Sequence, residues 1–380
     1  MVEGDPILVA AISGRALAQS AQRGGYQVLV ADFFGDQDTL QVAKDHVRFP
    51  GALVRGIEED ALFSALNALS ARRHPLGIVC GSGFEDRPEL LERIAKRWRL
   101  FGNDAAVVAK VKDPAALSVI CREAAIPAPD FCLEKPELAA DWLAKRRGGA
   151  GGGHIKPAEK AIHGRVYYQR KMPGVPISAL FLADGASAIV LGFSSQWHMP
   201  TADKPYRYGG AAQPATLPAH IAALLTAAVH RLSGAAALVG LNSADFIVDD
   251  ERFWLLEINP RPGATLDIFE PAQGSLLSLH MAACAGRLSP VPCYTGRARA
   301  AAIVYAESDI PSFPALNWPH WAADHPQQGI AIRAGEPLCT VYACGANAMQ
   351  ARVQTEERRR QVLAWATQGD HDNGASSQRE

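Results

Sequence analysis

The chain has 380 residues, enough for two or three domains with sizeable cores. Apolar residues make up 48% of it and charged residues 20%, and the net charge of -1 gives no basic field for nucleic acid or a membrane surface. No apolar run is long enough to span a bilayer, and no basic segment precedes the first apolar run as in a signal peptide. The seven scattered cysteines lack CxxC spacing, so we expect a cytoplasmic protein in a reducing compartment.

The N-terminal part of the chain alternates between short apolar strands and helical segments. "PILVAAISG", "YQVLVADFF" and "LGIVCGSGFED" are typical of buried strands, and "RALAQSAQRGG" and "EEDALFSALNALSARR" are helical in pattern. The second helix has an acidic first turn and a basic last turn, which complement its dipole. This order predicts a parallel sheet with helices on its faces.

Helical character continues to about residue 140, and strands dominate from there to about residue 260. "DPAALSVICREAAIP" begins with Asp-Pro and ends before a proline, so it predicts a helix. Several strands follow, interrupted by the helical segment "PAHIAALLTAAVHRLSG". A β-rich stretch and a last helix complete the chain. This clustering predicts α+β lobes after the first domain.

The segment 243–260, "SADFIVDDERFWLLEINP", has two apolar strands joined by a polar turn, which predicts a hairpin. If Ile247 faces Leu255, then Asp245 faces Glu257, and Asn259 shares their face because strand residues alternate. Two facing carboxylates destabilise a sheet unless they are compensated, and carboxylate and amide oxygens suit Mg²⁺. The hairpin therefore indicates a metal site, and the alternative is a solvent-exposed hairpin end with incidental charges.

Two prolines flank an arginine directly after this hairpin. Pro260 and Pro262 bias Asn259 and Arg261 toward extended backbone, so they stiffen both an amide and a cation at the strand end.

A glycine-rich loop lies earlier, in "DWLAKRRGGAGGGHIKP". Lys145 lies near the end of a short predicted strand, and the six-residue stretch "GGAGGG" that follows contains five glycines. Glycine permits close backbone approach, so successive N–H groups can surround phosphate oxygens while the lysine neutralises their charge. The alternative is a flexible linker, but linkers rarely lie between two strands of one sheet.

These pieces, in this order, resemble the ATP-grasp superfamily. "ADFIVDDERFWLLEINPRPGA" is similar to the family's acid-bearing hairpin with its ending Glu-x-Asn-x-Arg. The resemblance covers motifs from about 100 to 270 and implies ATP and Mg²⁺ as cofactors. It also implies an α/β and α+β fold of ATP-grasp architecture. The parts would be an N-terminal Rossmann-like parallel sheet (1–102), two α+β lobes clasping ATP (103–175 and 176–297), a small β-rich C-terminal appendage (298–368) and a disordered tail (369–380).

The resemblance implies roles for the matching residues. Asp245, Glu257 and Asn259 would bind Mg²⁺, and Arg261 would act catalytically by touching the transferred phosphate or an acyl phosphate. The expected ATP-binding residues are the catalytic phosphate lysine Lys145, the loop residues Gly149, Gly151, Gly152 and Gly153, and the adenine-reading residues Gln169, Arg170, Lys171 and Met172.

Two positions depart from the family pattern. The family's Asp-Lys before the first central helix is replaced by Asp113-Pro114, so Lys112 is taken as the earlier phosphate lysine, with Lys110 as the alternative. An acid that often holds the ribose is replaced by Arg170, which leaves the ribose contact unassigned.

Candidate substrate residues lie in the loop "QWHMPTADKPYRYGG". Arg207 could hold a substrate carboxylate beside Tyr208, and His198 could serve as an acid–base group for an amine. The alternatives are a surface loop with incidental charge and a structural histidine, and a structural role is also the interpretation of His154 and His163.

The implied activity is an ADP-producing ligase that joins a small-molecule carboxylate to an amine through an acyl phosphate, in a possible homodimer. "VLGFSSQWHMP" and "PYRYGGAAQPA" look most like the tyramine–glutamate ligase branch, which makes methanofuran-type one-carbon cofactors. The alternatives are an ATP-dependent carboxylase and a non-catalytic nucleotide-binding regulatory protein. Neither nucleic acid nor a membrane is an expected partner.

Overall fold

A computed structural model describes residues 5–52, 56–71, 73–160, 162–289 and 296–375. The strands are β1 (Pro6–Ala10), β2 (Gln27–Asp32), β3 (Asp45–Arg48), β4 (Gly51–Ala52), β5 (Gly56–Ile57), β6 (Ile78–Cys80), β7 (Leu100–Phe101), β8 (Phe131–Cys132), β9 (Trp142–Arg146), β10 (Lys156–Pro157), β11 (Val166–Arg170), β12 (Val175–Asp184), β13 (Ala188–His198), β14 (Tyr208–Gln213), β15 (Val239–Val248), β16 (Phe253–Asn259), β17 (Ala298–Tyr305), β18 (Ala322–Ala323) and β19 (Pro337–Gly345). The helices are α1 (Arg15–Arg23), α2 (Gln37–Val42), α3 (Glu59–Ser70), α4 (Glu89–Ala95), α5 (Ala105–Lys112), α6 (Pro114–Glu123), α7 (Ala219–Ala236), α8 (Leu266–Phe269), α9 (Leu276–Cys284) and α10 (Ala348–Ala375).

The N-terminal sheet is parallel, as predicted, with strand order β3-β2-β1-β6-β7. Alternate residues of β1 enter two different cores: Leu8 and Ala10 face the core that includes α3, and Ile7 and Val9 face the core that includes α1. Burial on both faces is characteristic of parallel sheets and explains why these strands are apolar throughout.

A small antiparallel sheet has the strand order β10-β9-β11-β8, and α5 and α6, which precede it in the chain, pack in the core with α7 through Val111 and Ile120. Both helices begin at aspartates whose side chains accept backbone hydrogen bonds: Asp104 from Val107, and Asp113 from Ala115 and Ala116. Asp113, which stands in the altered Asp-Pro motif, is therefore a helix cap that ends α5 and starts α6.

An eight-stranded sheet, order β16-β15-β12-β13-β14-β17-β19-β18, is the largest unit. Helix α7 packs on one face of it, against Phe181 and Phe246, and α8 and α9 pack on the other, against Leu180 and Leu182. The strands expected to form a small C-terminal appendage continue this same sheet, because β17 pairs with β14.

Helix α10 packs on the C-terminal strands through Val362 and Ala366. It runs to Ala375, so residues 369–375 of the predicted disordered tail are helical, and 376–380 lie outside the described residues. Within the described ranges no helix is both long and apolar enough to cross a membrane.

Candidate active site

The hairpin of β15 and β16 contains a β-bulge that decides which side chains face the cleft. Phe246 pairs with Leu255 but Asp245 pairs with Glu257, so Leu256 is an extra residue in β16. The predicted facing of Asp245 and Glu257 is present, but the register assumed for it was wrong, since Ile247 pairs with Trp254.

The bulge also changes the direction of the side chains that follow it. Leu255 and Ile258 both lie in the core under α7, although three positions separate them. Strict alternation after Leu255 would have turned Glu257 into that core. The extra residue instead places Glu257 and Asn259 on the side of Asp245, away from the core.

The ammonium group of Lys112 contacts oxygens of this hairpin. Lys112 Nζ is 3.1 Å from Asn259 Oδ1 and 3.4 Å from Glu257 Oε2, and the Asn259 amide donates to Asp245 Oδ2 at 2.9 Å. The described residues contain no group of three or more His, Cys, Asp or Glu side chains that could hold a metal ion. The oxygen donors at this hairpin are two carboxylates and the amide of Asn259. Hard oxygens that attract an ammonium group fit Mg²⁺, which needs one or two protein carboxylates.

The charges around the carboxylates differ in sign and shift their pKa values in opposite directions. Burial and the neighbouring Glu257 raise the pKa of Asp245. Burial also acts to raise the pKa of Glu257, but the charges of Lys112 and Lys145 outweigh it and lower the pKa overall. Glu257 is thus ionised, and a cation between the two carboxylates would favour the ionised form of Asp245 by relieving their repulsion.

The position of Lys112 answers a question that the sequence left open. Lys112 has a buried side chain in the cleft, whereas Lys110 donates from an exposed position to the carbonyl of Ala235. The two lysines have different surroundings because residues two positions apart on α5 point in different directions. Lys112 is therefore the lysine of α5 that accompanies the carboxylates.

Lys145 is held in the cleft by a residue predicted for another role. Its Nζ donates to Gln169 Oε1 at 2.6 Å, and the Gln169 amide donates to the carbonyl of Leu256 at 3.3 Å. Gln169 therefore links Lys145 to the bulge of the hairpin that carries the carboxylates. Burial, opposed by the charges of Glu257 and Asp245, lowers the pKa of Lys145.

The glycine loop lies between two other parts of the chain. A Cβ at Gly148 would approach Asp86 Cα to 2.5 Å, and a Cβ at Gly152 would approach the carbonyl oxygen of Tyr206 to 2.0 Å. Both glycines have positive φ, 68° and 71°. The backbone of Tyr208 donates to the carbonyl of Gly151 at 2.9 Å. The loop can pack this closely because it has no side chains at these positions.

The predicted adenine segment has part of its backbone engaged. The N–H groups of Arg170 and Lys171 donate to the carbonyls of Asp130 and Asp141, both at 2.8 Å. For Met172 no hydrogen bond of the N–H is found among the described residues. The Met172 N–H is thus the donor of this segment that remains for an adenine, a role that stays a prediction.

Arg261 is anchored to the N-terminal domain by Glu85, a residue that the sequence analysis did not identify. Arg261 Nε lies 2.6 Å from Glu85 Oε1, and the other Glu85 oxygen accepts from Gly83 N–H at 2.7 Å. Burial acts to raise the pKa of Glu85, but the charges of Arg261 and Lys112 outweigh it, so the pKa is lowered. The one available signal was an acid at the end of the glycine turn "CGSGFED".

The backbone around Arg261 is fixed as well. Arg261 N–H donates to the carbonyl of Asn259 at 2.9 Å, which forms a three-residue turn centred on Pro260. The buried Asn103 amide donates to the Pro260 carbonyl at 2.9 Å. Asn103 was also missed, because one asparagine in "FGND" carries no distinguishing pattern.

The three candidate substrate residues differ in their burial and in their contacts. Arg207 is buried, donates to the carbonyls of Met199 and Gly335, and lies 3.8 Å above the Tyr305 ring. Its guanidinium therefore holds the C-terminal segment and is a poor candidate for a substrate carboxylate. His198 is exposed at the end of β13 and packs on Tyr206.

Tyr208 lies closer to the carboxylates than the other two candidates. Burial raises its pKa, with further contributions from Asp245, Tyr305 and Asp267. Of the three, Tyr208 is the one whose side chain is near the carboxylate group.

Comparison with known proteins finds a family model that matches part of the chain. Residues 113–265, less than half of the 380 residues, match the family model described as an ATP-grasp domain. A D-alanine–D-alanine ligase of Nitratidesulfovibrio vulgaris is 32% identical over 143 residues, which are 35% of this chain and 46% of the relative. The match thus spans less than half of that relative's length.

Solved structures show that the ATP-grasp fold extends over almost the whole chain. A biotin carboxylase from Campylobacter jejuni has a TM-score of 0.72 at 15% identity, covering 92% of this chain and 89% of that one. An N5-carboxyaminoimidazole synthetase from Staphylococcus aureus in complex with ADP has a TM-score of 0.68 at 15% identity, covering 94% and 98%. These likenesses confirm the predicted fold class, including its N-terminal parallel sheet.

Proposed function

We propose that this protein is an ATP- and Mg²⁺-dependent ligase that joins a carboxylate to an amine and releases ADP and phosphate. The observation that carries the proposal is the bulged hairpin, which collects Asp245, Glu257 and Asn259 on one face beside two buried lysines. The match to a D-alanine–D-alanine ligase, by name an amide-forming enzyme, supports the ligase class.

The residues of the cleft suit phosphoryl transfer, which requires positioning and charge neutralisation more than covalent chemistry by the enzyme. Lys112 and Lys145 would bind phosphate oxygens, and the N–H groups of the glycine loop would surround them. Asp245, Glu257 and Asn259 would hold Mg²⁺, which supplies Lewis-acid stabilisation of phosphate charge.

The reaction would proceed in two balanced steps. A substrate carboxylate oxygen forms a bond to the γ-phosphorus as the bond to the ADP oxygen breaks. The amine nitrogen then bonds to the acyl carbon, the bond between the acyl carbon and the phosphate oxygen breaks, phosphate leaves with that electron pair, and the nitrogen loses a proton. Arg261, oriented by Glu85, would neutralise the charge of the phosphate in both steps.

The glycine loop would protect the acyl phosphate from water. Its contacts with Asp86 and Tyr206 bring the N-terminal domain and the large sheet over the same cleft. Opening of this loop would be required for nucleotide exchange.

As substrates we propose glutamate and an aromatic amine, in synthesis of a methanofuran- or methanopterin-type one-carbon cofactor. The motif resemblance within residues 190–215 supports this choice. We further propose a cytoplasmic homodimer.

The test is ADP release from Mg·ATP, screened over pairs of amino acids and amines, with glutamate and tyramine first. The ligase proposal predicts that one pair stimulates ADP release and yields an amide by mass spectrometry. Stimulation by bicarbonate with an amine would instead support a carboxylase. Binding of Mg·ATP without stimulation by any pair would support a non-catalytic nucleotide-binding protein and overturn the ligase.

A further inference from the structure

His154 lies at the return of the glycine loop and has an unsatisfied polar atom. Its Nδ1 is shielded from solvent, and among the described residues no hydrogen-bond partner is found for it. A buried polar atom without a partner costs about 1–3 kcal/mol, so such atoms are uncommon in folded proteins. The side chain lines the same cleft as Lys112, Tyr167 and Glu257.

The loop sequence is adapted to this histidine. A Cβ at Gly149 would lie 2.5 Å from the Cγ and Cδ2 atoms of the His154 ring and 2.6 Å from Nδ1. Unlike Gly151 and Gly152, Gly149 is not among the positive-φ residues, so its glycine is required by the space that the imidazole occupies. Gly149 and His154 therefore form a matched pair that keeps the ring beneath the loop.

The charges facing the ring are those of a phosphate site. Lys145, Arg146 and Lys112 and the carboxylate of Glu257 act on it from three different elements, β9, α5 and β16. Burial is the largest cause that lowers the pKa of His154 to about 4; Glu257 acts to raise it, and the charges of the three basic residues add to the lowering. The imidazole is therefore neutral near pH 7 and has one nitrogen that carries a proton.

We propose that His154 binds the nucleotide by donating from Nδ1 to a phosphate oxygen. The inference rests on the proposed function in that it takes the Mg·nucleotide as the ligand of this cleft. A phosphate oxygen would satisfy the buried Nδ1, for which the described residues offer no hydrogen-bond partner. An N–H donor at this place would fix the orientation of the phosphate oxygen. The lysine ammonium groups act as point charges and do not supply this orientation.

The test compares His154→Phe, which keeps a planar ring, with His154→Asn, which keeps a donor near the position of Nδ1. Titration calorimetry with Mg·ADP, AMP and adenosine measures each part of the ligand. We expect His154→Phe to bind Mg·ADP about tenfold more weakly, as for loss of one hydrogen bond to a charged group, and to bind adenosine unchanged. His154→Asn should recover most of the loss.

His163→Phe, an exposed histidine that follows the same loop, is the matched control and should bind like the wild type. Equal Mg·ADP affinity of His154→Phe and wild type would overturn the inference, and so would an equal loss of adenosine affinity. If the wild type itself does not bind Mg·ADP, the proposed function fails first.

A double-mutant cycle tests the matched pair independently. Gly149→Ala should displace the ring and weaken Mg·ADP binding in the wild type, but should have no further effect in His154→Ala. Additive losses would contradict the inference, because they would show that Gly149 acts without the ring.

Discussion

The link from Lys145 through Gln169 to Leu256 predicts that Gln169→Leu changes the charge state of Lys145. The variant removes the acceptor that lies 2.6 Å from Lys145 Nζ and leaves a buried ammonium without it. A hydrogen bond to a charged group contributes about 1.5–3 kcal/mol. Since 1.36 kcal/mol corresponds to one pKa unit, the pKa of Lys145 should fall by about one to two further units.

The sign of the pH effect follows from the charged form of the lysine, which is the form that binds phosphate. Deprotonation occurs as pH rises, so the decline of Mg·ADP affinity with rising pH should begin at a lower pH in Gln169→Leu than in the wild type. Calorimetry over a series of pH values measures the affinity, and an NMR titration of the Lys145 Cε signal measures the pKa directly. Gln169→Glu, which keeps an acceptor, is the control and should raise the pKa of Lys145. An unchanged Lys145 titration in Gln169→Leu would refute the reasoning.

Three further predictions concern the carboxylates, the arginine and the core. Glu257→Gln should abolish Mg²⁺-dependent turnover with an unchanged unfolding midpoint. Near-normal turnover would contradict the proposal that Glu257 binds Mg²⁺. Glu85→Ala should lower kcat by about 100-fold with little change in KM for ATP, because a freed Arg261 is misplaced rather than lost. Burial lowers the pKa of His280 to about 4. The contribution of this neutral histidine to the free energy of unfolding is therefore fully present above about pH 6.5 and is lost as the pH falls. Relative to His280→Gln, the wild type should lose about 2.5 kcal/mol in urea unfolding between about pH 7.5 and pH 4.5, and parallel curves would contradict this.

The fold was predictable because its signals are local. Apolar strands such as β1 and capped helices such as α6 show their periodicity and ends within a few residues. The two short helices α2 and α4 did not show such signals over their six and seven residues. Membership of the C-terminal strands in the large sheet depends on pairing between β14 and β17, which are distant in sequence.

The carboxylate pair was found from the sequence, but its register was not. Hydrophobic alternation alone would have put Glu257 on the same face as Leu255, and one extra residue at Leu256 reverses that. A bulge leaves no mark in the residue types, since Leu256 is as apolar as Trp254 and Leu255 before it. The contact that accompanies the bulge, from Gln169 to the Leu256 carbonyl, comes from another lobe and is not visible in the hairpin sequence.

The N-terminal domain contributes to the site by holding residues that follow strands of two other sheets, β9 of the small sheet and β16 of the large one. Glu85 binds the side chain of Arg261, and Asp86 supports the glycine loop at Gly148. Asn103, directly after this domain, binds the Pro260 carbonyl. A hairpin end with two prolines can be stiff, but stiffness alone does not aim a guanidinium. The orientation of Arg261 comes from a carboxylate 176 positions earlier in the chain, so the catalytic geometry that we propose requires contact between the N-terminal domain and the hairpin end.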